Sequence, residues 1–270
     1  MKNARCPLLP ASDNYPRPLP EPFSLSLAAI ILARMDSSRL PGKALRDLGG
    51  IPVIEHVLRR LERCGVFDSR IVLATTRRPC DAPLAECFAA LGGEVYLAPE
   101  DELANVAKRF IGAAKSLGAD YALRVNGDSP FTDPRLVRDA VAVLQSRTPD
   151  LVTNLMPRTY PYGISVELVR VAALGENLRR LTAVQQEHVT AVFYHEPDRF
   201  QIADLPACPW PWTGVRFTVD EPQDLSILER VISQLPCGAL DADLPTLIAA
   251  ATAAGTAPAS DDFRSQQILT

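Results

Sequence analysis

Arg34, Arg39 and Lys43 fall within ten residues of one another in the stretch LARMDSSRLPGK, with Ser37, Ser38 and Gly42 between them. Arginine and lysine neutralise phosphate oxygens, and small residues let backbone N–H groups approach an anion closely. This combination suits a polyphosphate; a basic surface loop is the plainer alternative. The loop is neither a GxxxxGK[ST] nor a GxGxxG motif. A second chemical feature is acidic. Asp128 sits in VNGDSP, turn chemistry that places a carboxylate where a Mg²⁺–nucleotide can lie. Mg²⁺ takes few protein carboxylates and completes its shell with phosphate oxygens and water. A second carboxylate must therefore come from elsewhere, and Asp220 in RFTVDEPQDL is placed to supply it.

These residues need a frame. Residues 28–32 (AAIIL) have the length and composition of a buried parallel strand, so the cationic loop follows its carboxyl end, where ligands of open α/β sheets bind. Ile54, Val57, Leu58 and Leu61 keep helical spacing and predict a helix over 53–64. Further strands are predicted at 70–74, 94–97 and 121–125, with helices at 83–91, 102–117 and 134–145. Such alternation predicts an α/β fold with a doubly wound, mostly parallel sheet and right-handed crossovers. Beyond residue 150 the rhythm changes. Strands are predicted at 151–154, 164–169, 200–203 and 214–219, and helices at 186–194, 222–234 and 241–254. The domain reading is a disordered Pro-rich leader over 1–26, one domain over 27–255 and a loose tail over 256–270. The domain should carry a small mixed, antiparallel flap at about 155–213.

The phosphate-type loop resembles the signature of the sugar-acid cytidylyltransferases, nearest the spore-coat-polysaccharide branch, whose pattern runs roughly QARMGSTRLPGK. The likeness continues through VNGDSP, PRTYPYGISVEL, QEHVTAVFYH and VDEPQDL, and spans about residues 28–233. It implies Mg²⁺-dependent transfer of CMP from CTP to a sugar-acid or phosphonate-type acceptor, with release of pyrophosphate. Carried onto this chain, it implies Lys43, Arg39 and Arg34 as catalytic cations. Nucleotide contacts would come from Leu32, Ala33, Arg34, Ser38, Arg39, Gly42, Lys43, Thr75, Thr76 and Asn126. Asp128 and Asp220 would bind the metal, and Asp224 would sit in the first turn of a helix. Arg158, Tyr160, Glu167, Glu187 and His188 would line the acceptor pocket. CTP over another nucleotide rests on the resemblance alone, and so does the expected homodimer.

The chain departs from the family pattern at several positions. Tyr162 and Ser165 replace acidic residues, which suggests a more anionic acceptor. Asp36 replaces a glycine in the phosphate loop. A carboxylate about 5 Å from a phosphate charge would cost roughly 3 kcal/mol at an effective dielectric near 20. Asp36 must therefore point away, bind a cation or weaken nucleotide binding. A nucleotide-sugar glycosyltransferase would be expected to carry a DxD motif after a strand, whereas the only DAD lies at 241–243. A degenerate, non-catalytic nucleotide-binding subunit is the reading from a different class.

Composition bounds the rest. The chain has 270 residues, 47% of them hydrophobic, with a net charge of −4, enough to bury one large core but not the profile of a generic nucleic-acid binder. Its six cysteines form no CxxC, and no apolar run approaches the ~20 residues that span a bilayer. No secretory pattern opens the chain, so a cytoplasmic enzyme with neither nucleic-acid nor membrane partners is expected.

Overall fold

The computed structural model describes residues 24–255, except 100, 101, 103, 213 and 237. The predicted leader (but for its last residues) and the predicted tail lie outside the described residues. The central strand is β1 (Leu27–Leu32), which pairs in parallel with β4 (Ile71–Thr76) on one side and β6 (Tyr121–Asn126) on the other. With β5 (Glu94–Ala98), β7 (Leu151–Thr153), β8 (Glu167–Arg170) and β9 (Ile202–Asp204), they form a seven-stranded sheet of order β5-β4-β1-β6-β8-β7-β9. Only β8 runs antiparallel to its neighbours. A separate two-stranded antiparallel ribbon joins β2 (Asp47–Leu48) to β3 (Ile51–Pro52).

Both faces of β1 are buried, because successive side chains in a strand alternate sides. Ala29 and Ile31 join one apolar layer with Ile54 and Val57 of helix α1 (Val53–Glu62). Ala28 and Ile30 join the other with Phe110 and Ala114 of α3 (Val106–Ser116). Helices α2 (Ala82–Ala90) and α4 (Pro134–Val143) complete the crossovers of the first half. The predicted doubly wound fold is present.

The structure departs from the sequence reading in several places. Residues 214–219 form no strand. Phe217 N–H donates to the Tyr162 carbonyl at 2.7 Å and Val219 N–H to the Asp128 carbonyl at 2.9 Å, so the segment is tacked to two loops rather than to a ladder. Gly163 permits that approach: it has φ +97°, and a Cβ there would lie 2.4 Å from the Phe217 carbonyl oxygen. The helix predicted over 186–194 is two short helices, α6 (Ala183–Glu187) and α7 (Ala191–His195). Thr182 and Gln185 form a capping box that starts α6 earlier, and His188 leaves helical geometry between the two. The strand predicted over 164–169 reduces to β8, and the helix predicted from 102 starts at 106, where the Asn105 side chain caps it. The chain continues through α5 (Val171–Asn177), α8 (Pro222–Ser233) and α9 (Leu244–Ala253).

Candidate active site

The carboxyl ends of β1 and β6 lie side by side, and their loops are welded together. Gly127 N–H donates to the Leu32 carbonyl at 3.0 Å, and a Cβ at Gly127 would meet the Ala33 Cβ at 2.5 Å. Leu32 and Ala33 thus serve as the seam between the cationic loop and the VNGDSP turn. Gly42 adopts φ +72°, a conformation costly for other residues, and donates its N–H to the Met35 carbonyl at 2.8 Å. This closes the loop and starts the single 3₁₀ turn that carries Lys43.

Lys43 Nζ donates to Asp128 Oδ2 at 2.5 Å and to Asp220 Oδ1 at 2.9 Å. Asp220 also accepts from Arg39 at 3.1 Å and from Arg216 at 2.9 Å. Burial alone would lower the Lys43 pKa, but the two carboxylates hold it above its ordinary value. Burial likewise pushes Asp220 up, and Lys43, Arg39 and Arg216 bring it below the usual carboxylate range. Asp224 accepts the Asp220 N–H at 2.7 Å and caps α8, so it fixes the backbone of the candidate ligand beside it.

The chemistry of this pair fits Mg²⁺. The two carboxylate oxygens share one cation and so lie no more than 5.4 Å apart. No group of three or more His, Cys, Asp or Glu that could hold a metal occurs among the described residues. Two carboxylates and no protein cage suit an ion that keeps water and substrate phosphates in its shell.

Asp36 is neutralised rather than free. Arg78 donates to it at 2.5 Å and Arg34 lies 3.5 Å away, and Arg78, more than the opposing effect of burial, holds its pKa below the ordinary value. Arg78 also reaches Asp81 at 3.0 Å, a carboxylate with no solvent exposure. Asp81 accepts the Met35 N–H at 2.7 Å and the Thr76 hydroxyl. Arg78 and Asp81 therefore tie the cationic loop to the end of β4. Neither residue is among the site residues expected from sequence. Thr75 and Thr76 are buried, with Thr76 spent on Asp81, and Ser38 is exposed on the loop.

A cavity of about 300 Å³ opens from the Lys43 cluster towards β8. Asn126, Arg158, Glu167 and His188 of the predicted set line it, together with Arg124, Tyr162 and Tyr194. Tyr160 and Glu187 do not. Tyr160 is only 5% exposed and donates its hydroxyl to the Pro206 carbonyl at 3.2 Å, so it packs in the core; Glu187 ends α6 away from the cavity. Glu167 accepts from Arg124 at 2.6 Å and from the Tyr194 hydroxyl at 2.7 Å. Burial raises its pKa, but Arg124, Thr190 and Tyr194 more than offset that and hold it ionised. Arg158 and Arg216 stack on Tyr162, at 5.2 and 4.7 Å from the ring centre. Arg124 and Arg216 each interrupt an apolar run (YALRV, VRFTV), the one signal that marked them.

This constellation joins a cation-rich loop, a paired-carboxylate site and an arginine-lined cavity along one sheet edge. The cytidylyltransferase family model matches residues 28–235. The chain belongs to that family. It is a nucleotidyltransferase by that membership. An uncharacterised protein of Methanocaldococcus jannaschii is 30% identical over 75% of this cytidylyltransferase and 82% of its own length. The spore coat polysaccharide biosynthesis protein SpsF of Bacillus subtilis is 29% identical over 75% of this chain and 84% of its own. A 3-deoxy-manno-octulosonate cytidylyltransferase of Syntrophobacter fumaroxidans is 39% identical over 45% of this chain, which spans 47% of that enzyme. Among solved structures, a cytidylyltransferase from Leptospira borgpetersenii superposes with TM-score 0.72 at 24% identity, over 77% of this chain and 87% of that one, a likeness of fold. No helix among the described residues is long and apolar enough to cross a membrane.

Proposed function

We propose that this chain is a Mg²⁺-dependent enzyme that transfers CMP from CTP to a small anionic acceptor, a sugar acid or a phosphonate, and releases pyrophosphate. The observation that carries the reading is Lys43 between Asp128 and Asp220, at the mouth of an arginine-lined cavity. The family model and the part-length likeness to the octulosonate enzyme support CTP as the nucleotide.

In this reading an acceptor oxygen, either a phosphonate oxyanion or a sugar-acid hydroxyl that gives its proton to solvent, attacks the α-phosphorus, the new P–O bond forms, and the bond to the β-phosphate oxygen breaks. Such transfer depends on positioning and charge neutralisation more than on a protein nucleophile. Arg34, Arg39 and Lys43 hold the β- and γ-phosphates and offset the charge that gathers on departing pyrophosphate. Asp128 and Asp220 would hold Mg²⁺, which when bound withdraws charge from the α-phosphate oxygens. Arg158 and His188 face the cavity where the acceptor's acid group would lie. The Arg124–Glu167–Tyr194 network holds that wall rigid. Pairing of Asp36 with Arg78 and Arg34 removes the charge objection that this residue raises.

The test is pyrophosphate release with Mg²⁺ and each of the four nucleoside triphosphates, against a panel of sugar acids and phosphonates. Release with CTP and one acceptor class is the expected result. Failure of every nucleotide to bind, measured by calorimetry, would overturn the reading.

A further inference from the structure

Lys43 is the residue expected to hold phosphates, yet its ammonium sits on both carboxylates expected to hold the metal. The side chain is 16% exposed, and the Asp220 side chain only 7%, so water does little to loosen this contact. Around it, Lys43, Arg39 and Arg216 contact Asp128 and Asp220, and Asp224 lies against the Asp220 N–H at 2.7 Å, so three cations already balance three carboxylates. We infer that Lys43 is an internal counter-ion that closes the metal site until a nucleotide's phosphates draw it away. The protein then takes its metal as the chelate with the nucleotide rather than as the free ion. The inference rests on the functional reading above.

The physical argument is one of charge. A free divalent cation must displace the ammonium from both carboxylates and enter a region whose acids are already neutralised. A Mg²⁺–CTP chelate carries two net negative charges. Its phosphate oxygens offer Lys43 and Arg39 new partners at the same moment that the carboxylates are vacated. A lysine can make that exchange because its ammonium rides on a flexible four-carbon stem. The loop that carries it is anchored by the Gly42-to-Met35 and Met35-to-Asp81 hydrogen bonds, so the side chain can swing while the backbone stays. Metal and nucleotide affinities should therefore be coupled, each raising the other by the same factor.

The test uses Mn²⁺ as the probe, with free ion counted by electron paramagnetic resonance on the full chain, with and without CTP and with no acceptor present. In Lys43→Gln the nucleotide-free protein should bind Mn²⁺ about tenfold more tightly than wild type, and the gain on adding CTP should shrink by a similar factor. Lys43→Met, a second neutral variant, should behave the same way if Lys43→Gln folds poorly by circular dichroism. Lys43→Arg keeps the charge and should retain weak nucleotide-free binding. If both neutral variants bind Mn²⁺ no more tightly than wild type, while Asp128→Asn still abolishes binding of the chelate, the counter-ion role is wrong and the metal site stands. If Asp128→Asn leaves chelate binding intact, the functional reading itself fails, and this inference with it.

Discussion

Arg78→Met isolates the device that lets an acidic residue sit in a phosphate loop. Arg78 contacts Asp36 at 2.5 Å and Asp81 at 3.2 and 3.0 Å. Removing one partner of a fully buried ion pair costs 3–5 kcal/mol. Asp81 has no exposure, but the Arg78 side chain is 29% exposed and Asp81 keeps the Met35 and Thr76 donors. Solvent and the remaining bonds reduce the expected loss of stability to about 2 kcal/mol. The second effect falls on the nucleotide. Asp36 would then keep only Arg34 at 3.5 Å; a carboxylate about 5 Å from a phosphate charge costs roughly 3 kcal/mol, and about half that once its 39% exposure and the remaining Arg34 contact screen it. CTP should then bind about tenfold more weakly. Urea unfolding reads the first effect and calorimetric titration with CTP the second. Asp36→Gly alone should leave CTP affinity unchanged or tighter. Added to Arg78→Met, it should restore CTP affinity without restoring stability, because Asp81 stays under-partnered. CTP affinity within twofold of wild type in Arg78→Met, or no rescue by Asp36→Gly, would refute the charge argument.

Asp128→Asn should abolish pyrophosphate release while the urea midpoint stays close to wild type, since the Asp128 backbone carbonyl still accepts the Val219 N–H; wild-type rates would remove Asp128 from the reacting centre. Arg109 is 2% exposed, and its Nε and Nη1 have no hydrogen-bond partner among the described residues; burial, and next the Arg34 charge, push its pKa down to about 10. Arg109→Met should therefore stabilise the fold by about 1–3 kcal/mol in urea unfolding, and a destabilised variant would contradict this account. His56 is buried with Nε2 against the Leu48 carbonyl at 2.7 Å, and burial holds its pKa below the ordinary 6.5. Unfolded His56 takes its proton near pH 6.5 and folded His56 only at lower pH, so its contribution to stability is present above 6.5 and is lost as pH falls through the folded value. Unfolding free energies between pH 7.5 and 5 should show this decline, and His56→Gln should flatten it.

The amino-acid sequence determined the features that are local. A run such as AAIIL is buried on both faces wherever it lies, so the strand, its burial and the carboxyl-edge loop were legible from composition and period alone, while its central place in the sheet was not. Lys43, Asp128 and Asp220 were legible as chemistry because charged residues next to Gly, Ser and Pro at strand ends have few structural reasons to be there. Their contact was not. Lys43 meets Asp128 across 85 residues and Asp220 across 177, and that meeting depends on Val219 N–H finding the Asp128 carbonyl. The segment before Asp220 alternates like a strand, and only the tertiary structure sends its backbone donors to two loops instead of a ladder. Tertiary structure likewise paired Asp36 with Arg78, 42 residues away, and turned Tyr160 into the core while Tyr162 faces the cavity. Hydrophobic periodicity encodes which face of an element is buried. It carries no record of which loop carbonyl, carboxylate or guanidinium will be within 3 Å once the elements pack, and the site is made of those pairings.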